Sequence, residues 1–240
     1  MEWSESVKET DKTYQLLKLL DRYGIMTRVQ ILQRLSIAEN NLRIALKKLE
    51  DLGFIKTFKG LSKYAHYITT KGSEYIGYLN FGYVQGDKQP NLATLRHNLM
   101  MNDAISESIA LLRKDFPTNE LTLTTEREIL AEKYLTLNQQ YTGKWLRREK
   151  AVVRNKIPDF YISIEVDGQI RRISYELELT RKSKKALETK LKWYVDQKRQ
   201  GLITQVCYIY DDSAIADHVA TNARRLNLNI QFYEIGRKRL

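Results

Sequence analysis

One cysteine, three histidines and three prolines in 240 residues exclude several kinds of protein at once. A lone thiol, Cys207, cannot close an internal disulfide, and its place in the apolar run Val206-Cys207-Tyr208-Ile209 suits burial. His66, His97 and His218 are far apart in sequence, so with a single cysteine no zinc-ligand spacing exists. No apolar run approaches the roughly 18 residues that a membrane span needs. The stretch Met1-Glu2-Trp3-Ser4-Glu5 is acidic rather than a basic region followed by an apolar one, so a cytoplasmic protein without membrane insertion is expected. Acidic charge is also in deficit. Lys and Arg number 40 against 29 Asp and Glu, a formal charge of +11 with a pI near 9.5. A polyanionic partner follows, although charge alone does not separate nucleic acid from a membrane surface.

The length suits one or two domains with a sizeable core. From Asp11 to Tyr23, apolar Leu16, Leu19, Leu20 and Tyr23 form a helical stripe ended by Gly24. A short second helix is predicted over Thr27 to Leu35. Ser36-Ile37-Ala38-Glu39 reads as a capping box that opens a third helix. On it Leu42, Ala45, Leu46, Leu49 and Leu52 make the buried stripe, while Asn40, Arg43, Ile44, Lys47 and Lys48 point away. Asn and Arg at the first turns of an exposed helix are the side chains that read adenine and guanine edges in a major groove. Residues 54–58 and 64–69 read as two strands around the turn Lys59-Gly60-Leu61-Ser62-Lys63.

A segment with two glycines and Pro90, without helical period, marks a linker over 81–91. It divides the chain into domains 1–80 and 92–240. A long helix is predicted from about Leu92 to Lys114, since Pro117 forbids continuation, and Leu121 to Thr125 alternates as a short strand. Residues 131–156 lack a clean period and carry Arg147 and Arg148 beside Trp145. Aromatic and basic groups so interleaved suit single-stranded nucleic acid, and equally suit a solvated loop or helix.

Next come two alternating runs around Asp167-Gly168, the strongest short-range hairpin signal. If these two are the central turn residues, Val166 faces Gln169 and Asp159 faces Glu176. Residues i and i+2 share a face of the pleat. One face then collects Phe160, Ile162, Ile164, Val166, Ile173, Tyr175, Leu177 and Leu179; the other collects Asp159, Glu176 and Glu178. Like charges opposed across a ladder are destabilising, by roughly 0.2–1 kcal/mol and more where water is excluded, so a positive charge is required there. Either a solvated face beside a lysine-rich helix or a site for Mg²⁺ or Mn²⁺, hard ions that take carboxylate oxygens, meets that requirement. A basic helix over Arg181 to about Arg199 follows, with Lys184 and Lys185 early in it. The chain closes with a strand at 205–210, a helix at 213–226 and a strand at 229–235, which a three-layer α/β sandwich accommodates.

The order helix, helix, helix, hairpin over 11–78, with Leu49-Glu50-Asp51-Leu52-Gly53-Phe54-Ile55 and Ile68-Thr69-Thr70-Lys71-Gly72 at its junctions, resembles the winged helix-turn-helix family. That resemblance implies helix 39–52 in a major groove and a wing with Lys59 and Lys63 on phosphates. The second region, with Pro158-Asp159 and then Glu176-Leu177-Glu178 on a hairpin before a basic helix, resembles the PD-(D/E)XK restriction-endonuclease fold. The expected fold class is thus α+β / α/β, an N-terminal winged helix-turn-helix followed by a restriction-endonuclease-like sandwich. Adding Leu95-Arg96-His97-Asn98-Leu99, Thr125-Glu126-Arg127-Glu128 and Lys190-Leu191-Lys192-Trp193-Tyr194, nearly the whole chain is similar to the plasmid replication-relaxation proteins and MOBC-type conjugative relaxases.

This resemblance implies strand-specific nicking of plasmid DNA at a transfer or replication origin with Mg²⁺ or Mn²⁺. Asp159 and Glu176 would be the principal metal ligands, with Glu178 and Glu126 beside them and His97 a further catalytic candidate. His97 shares a helix with Met101 and Ala104 at helical spacing, so packing is its structural alternative. A lysine would stabilise charge on the phosphoryl oxygens. The pattern departs from the family at Glu178, where lysine is usual; Lys182 is the nearest replacement and Lys190 the second. Lys184 and Lys185 would follow the DNA backbone. Hydrolysis is the simpler chemistry, since none of the fifteen tyrosines is singled out as a nucleophile. The partners implied are the double-stranded origin, the nicked strand, other relaxosome proteins and a coupling protein. The alternative is a non-catalytic DNA-binding relaxosome accessory, or a plasmid replication or transcription regulator, with a degenerate nuclease fold.

Overall fold

A computed structural model describes residues 11–59, 64–77 and 92–235, with only the backbone given at 92 and 93. Lys63 and the expected linker 81–91 lie outside the described residues. The protein is mixed α+β with two sheets, and it divides into two compact units, one ending at Asn102 and the other starting at Asp103.

The first unit begins with α1 (Lys12–Tyr23), capped by the Asp11 carboxylate, which accepts from the Thr13 amide at 2.8 Å. Strand β1 (Ile25–Thr27) follows, then α2 (Arg28–Leu32), α3 (Glu39–Asp51), β2 (Ile55–Phe58), β3 (Ala65–Ile68) and α4 (Thr70–Tyr75). The three strands order as β1-β3-β2, all antiparallel. The leucine stripes work as expected: Leu16, Leu20, Leu42, Leu46 and Leu49 meet Phe54 and Ile68 in one core.

Two local expectations are corrected. The second helix is shorter: a capping box between Thr27 and Gln30 fixes its start directly after β1, and it ends at Leu32, where the chain turns over 33–35 instead of continuing. Ser36 caps nothing at α3; the residue before that helix is Ala38, which has no side-chain cap. A further helix, α5 (Leu92–Asp115), starts in this unit, where Leu95 and Leu99 pack with Ile25, Phe58 and Ala65. Asn102 donates to the Ile25 carbonyl at 2.7 Å and Gln30 to the Leu99 carbonyl at 2.8 Å, so this half of α5 is fastened to α2 and β1.

The second unit continues with β4 (Leu121–Thr125), α6 (Glu126–Gln140), α7 (Gly143–Arg154), β5 (Phe160–Val166), β6 (Gln169–Glu178), α8 (Lys184–Arg199), β7 (Gln205–Tyr210), α9 (Ser213–Arg225) and β8 (Gln231–Glu234). Its sheet runs β4-β5-β6-β7-β8: an antiparallel meander through β6, then two parallel additions made by helical crossovers. The β5–β6 register is the one the turn dictates, Val166 opposite Gln169 and Phe160 opposite Tyr175. Asp167 and Gly168 both hold positive φ, 52° and 73°, as a two-residue turn matched to strand twist requires.

Residues 131–156, which the sequence left between loop and helix, are α6 and α7. The box between Thr125 and Glu128 opens α6, and Tyr134 on α6 accepts from Arg154 Nε at 2.6 Å. Burial of β6 corrects the one-sided hairpin. From Ile173 to Glu178 every residue is buried, because β6 is central and α8 and α9 cover the face that carries Ser174, Val206 and Tyr208. The acidic face is therefore not a solvated one.

Candidate active site

Asp159 stands one residue before β5 and is held from both neighbouring strands. Its amide donates to the Tyr175 carbonyl at 3.1 Å, and its carbonyl accepts from the Glu126 amide at 2.9 Å. Its Oδ2 accepts from the Leu177 amide at 2.6 Å. Leu177 lies between Glu176 and Glu178, so this bond brings the Asp159 carboxylate to the stretch of β6 that presents both glutamates.

Glu176 is 2% exposed and Glu178 is 4% exposed. A buried carboxylate without a partner would cost several kcal/mol or take up a proton. Each has an ammonium. Lys190, on α8, places Nζ 2.8 Å from Glu176 Oε1 and also donates to the Ile157 carbonyl. Lys182 places Nζ 2.5 Å from Glu178 Oε2 and 3.9 Å from Glu176 Oε2. Tyr194 donates to Glu176 Oε1 and in turn accepts from Ser174 Oγ at 3.3 Å. Both lysines considered as replacements for the motif lysine are thus at the acids. Lys182 sits in the extended segment before α8, whose cap is Ser183, rather than on the helix, and its side chain is 37% exposed. Lys190 is buried.

The acids and Lys182 lie close enough to act on one another's charge, as Glu178 shows. Burial pushes its carboxyl above the usual range; Lys182 opposes that, while Glu176 and Asp159 add to it. For Lys182 burial favours the neutral amine, but Glu176, Glu178 and Asp159 outweigh it and hold the ammonium well above its ordinary value. Tyr194 is raised by burial and by Glu176 beside it. Tyr208, ladder partner of Glu176, is also raised by burial and by the three acids, and its buried hydroxyl has no hydrogen-bond partner among the described residues.

The structure therefore unites Asp159, Glu176, Glu178, Lys182 and Lys190. Glu126 comes to them through its backbone, as the first residue of α6. His97 is half-buried on the part of α5 that belongs to the first unit. Lys184 and Lys185 are exposed in the first turn of α8, and Trp145, Arg147 and Arg148 are exposed on α7, with the Arg148 guanidinium 5.5 Å from the Trp145 ring centre. In the first unit Asn40, Arg43, Lys47 and Lys48 share the exposed side of α3 with Ile44, 66% exposed, and Lys59 is exposed just after β2. Sequence reasoning passed over Ser174 and Tyr208 and gave no role to Tyr194, the last residue of the Lys190–Tyr194 motif. The signal for Tyr194 was its spacing from Lys190, four residues on one helical face.

A divalent ion suits this donor set in kind, since carboxylate oxygens are its ligands. As placed, lysine ammoniums hold Glu176 and Glu178, and among the described residues no three His, Cys, Asp or Glu side chains are gathered to grip a metal ion.

Residues 17–206 match the family model described as replication-relaxation. The chain belongs to the replication-relaxation family. No curated protein and no solved structure matches it. Membership in the replication-relaxation family points to a role in plasmid replication and relaxation, with DNA as the substrate. The exposed basic residues of both units accord with a replication-relaxation protein of charge +11. Among the described residues no helix is long and apolar enough to cross a membrane.

Proposed function

We propose that the chain is a relaxase that nicks one strand of plasmid DNA at an origin of transfer or replication, with Asp159, Glu176 and Glu178 holding Mg²⁺ or Mn²⁺. The observation that carries this reading is the meeting of those three carboxylates with Lys182 and Lys190 at one end of the β5–β6 hairpin. The order of elements supports a nuclease-like sandwich: helix, antiparallel meander, helix, parallel strand. When bound, the ion supplies Lewis-acid activation of the scissile phosphate.

The chain's own residues divide the remaining work. The Leu177 amide orients the Asp159 carboxylate. Lys190, Tyr194 and Ser174 fix Glu176, so that its rotamer is set before DNA arrives. Lys182 is the ammonium with access to solvent, and charge developing on phosphoryl oxygens falls to it. The first unit is a winged helix-turn-helix that supplies the address, with Asn40 and Arg43 on base edges and Lys47, Lys48 and Lys59 on phosphates.

A second reading is favoured by the same lysines. If their ion pairs are permanent, the cluster is a neutralised scaffold and the chain is a DNA-binding accessory or regulator. Supercoiled plasmid carrying the cognate origin, incubated with Mg²⁺ or Mn²⁺, decides between them. Open circles made by the wild type and lost in both Asp159→Ala and Glu176→Ala support the nickase; origin binding without nicking in either metal selects the accessory. Detergent denaturation of the reaction, with a search for protein-linked DNA, tells hydrolysis from a tyrosine adduct.

A further inference from the structure

Behind the acid–lysine cluster the second unit holds a cavity of about 470 Å³, within the roughly 300–1,000 Å³ typical of ligand sites. It shares a wall with the cluster. Ile157 lines the cavity, and its carbonyl accepts from Lys190; the Trp193 ring, another lining group, has its centre 5.8 Å from Lys190 Nζ. Two aromatic side chains lie on the lining, Trp193 and Tyr161, both half-buried, and the Arg172 guanidinium stands 5.4 Å from the Tyr161 ring centre. Arg172, Lys133 and Lys156 are exposed cations on the lining, against a single acid, Glu132.

We infer that this cavity receives one unpaired nucleotide of a DNA strand, its base against Trp193 and Tyr161 and its flanking phosphates on Arg172, Lys133 and Lys156. Flat aromatic surface with cations at its edge is how sequence-tolerant strand binding is built. A base held in a duplex cannot enter a cavity of this size without leaving the stack, so the occupant is extruded or already single-stranded. Neither Trp193 nor Tyr161 is saturated by core packing, since both stay half-buried at the edge of the α8–α9 core. The site is separate from the exposed Trp145 of α7, which is not among the residues that line this cavity. The inference rests on DNA being the substrate, but not on nicking.

The test uses the full chain in EDTA and a single-stranded oligonucleotide carrying one 2-aminopurine. Binding should quench the 2-aminopurine. Trp193→Leu, which keeps apolar bulk against the core, should weaken binding about 5- to 100-fold and abolish most of the quenching. Arg172→Gln, at an exposed position, should weaken binding several-fold and flatten its salt dependence; it carries the test alone if Trp193→Leu does not fold. Wild-type affinity and quenching in Arg172→Gln, or in a folded Trp193→Leu, overturns the inference. So does free deoxyadenosine monophosphate that competes as strongly as the oligonucleotide, which would mark a small-molecule site. Because no divalent ion is present, loss of nicking activity in the plasmid assay and loss of this binding are independent results.

Discussion

Lys190 Nζ lies 2.8 Å from Glu176 Oε1 in a place where both side chains are buried, and the same ammonium reaches the Ile157 carbonyl. One cation thus joins α8 to β6 and to the segment that leads into β5. Removing one partner of a buried pair strands the other, which costs about 3–5 kcal/mol. Lys190→Met should lower unfolding stability by that amount. Adding Glu176→Gln, which keeps an oxygen for the Tyr194 hydroxyl, should recover part of the loss, so the double variant is more stable than the sum of the singles. Urea unfolding of the four proteins measures this, and strict additivity would remove the pair from the core of the fold.

Glu178 gives the cluster a pH dependence with a definite sign. Its carboxyl is raised above 4.5, so between 4.5 and the higher folded value the native protein keeps a proton that the unfolded chain has released. Stability from this group is greatest at acidic pH and falls as pH rises through that window. Lys182 is raised too, but its contribution is complete below 10.5 and is lost only at more alkaline pH, so it adds no slope near neutrality. Glu178→Gln should flatten this fall in melting temperature as pH rises above 4.5, whereas Lys182→Met should leave the proton uptake in place and enlarge the fall.

Tyr208 sets a buried hydroxyl, without a partner among the described residues, beside three acids. Leaving such a group unsatisfied costs about 1–3 kcal/mol. Tyr208→Phe removes the hydroxyl and keeps the ring that lies 6.2 Å from Phe232. Equal or higher thermal stability is expected, with nicking retained; loss of nicking at unchanged stability would make the hydroxyl part of the chemistry.

The hairpin was legible because two residues, Asp167 and Gly168, fix its turn type, and the turn fixes every pair back to Phe160. The meeting of the acids followed from that register. What covers them did not, because alternation reports two faces of a strand and is silent on a helix that closes over the polar one. For Glu176 and Glu178 a solvated face and a metal site both stay open until α8 is placed, and Lys190 and Tyr194 lie on it. The capping signal at Ser36 failed for a related reason. Ser-x-x-Glu is satisfied locally only when the helix starts one residue after the serine, and α3 starts at Glu39 itself. Equivalent boxes at Thr27 and Thr125 formed, each at the end of a strand that fixes the entry of the chain.

In the first unit His66 is 5% exposed on β3, and Thr57 Oγ1 lies 3.0 Å from its Nδ1. Burial, helped by Arg28, lowers its pKa from 6.5 to about 4. Between those values the unfolded chain takes up a proton that the folded protein refuses, so stability is complete above pH 6.5 and falls as pH drops toward 4. The full effect is on the order of 3 kcal/mol. Proton NMR should find His66 titrating near 4, and the amide protection factors in β2 and β3, corrected for the intrinsic exchange rate, should be lower at pH 5 than at pH 7. Replacement by Gln should remove that difference.

The exposed face of α3 sets the last expectation. Arg43 and Lys47 lie one turn apart, both exposed, with Ile44 also turned to solvent, an apolar group suited to a thymine methyl. If Arg43 reads a base edge and Lys47 neutralises a phosphate, the double variant Arg43→Ala/Lys47→Ala should lose affinity for origin duplex, and the lost phosphate contact should reduce the slope of log affinity against log salt by about 1. Asn40→Ala at unchanged charge should leave that slope alone. It should instead cost about 1–3 kcal/mol on the origin sequence and little on random duplex. Fluorescence anisotropy from 50 to 300 mM salt separates the two effects, and an Asn40→Ala protein that loses affinity equally on both duplexes would take α3 out of base recognition.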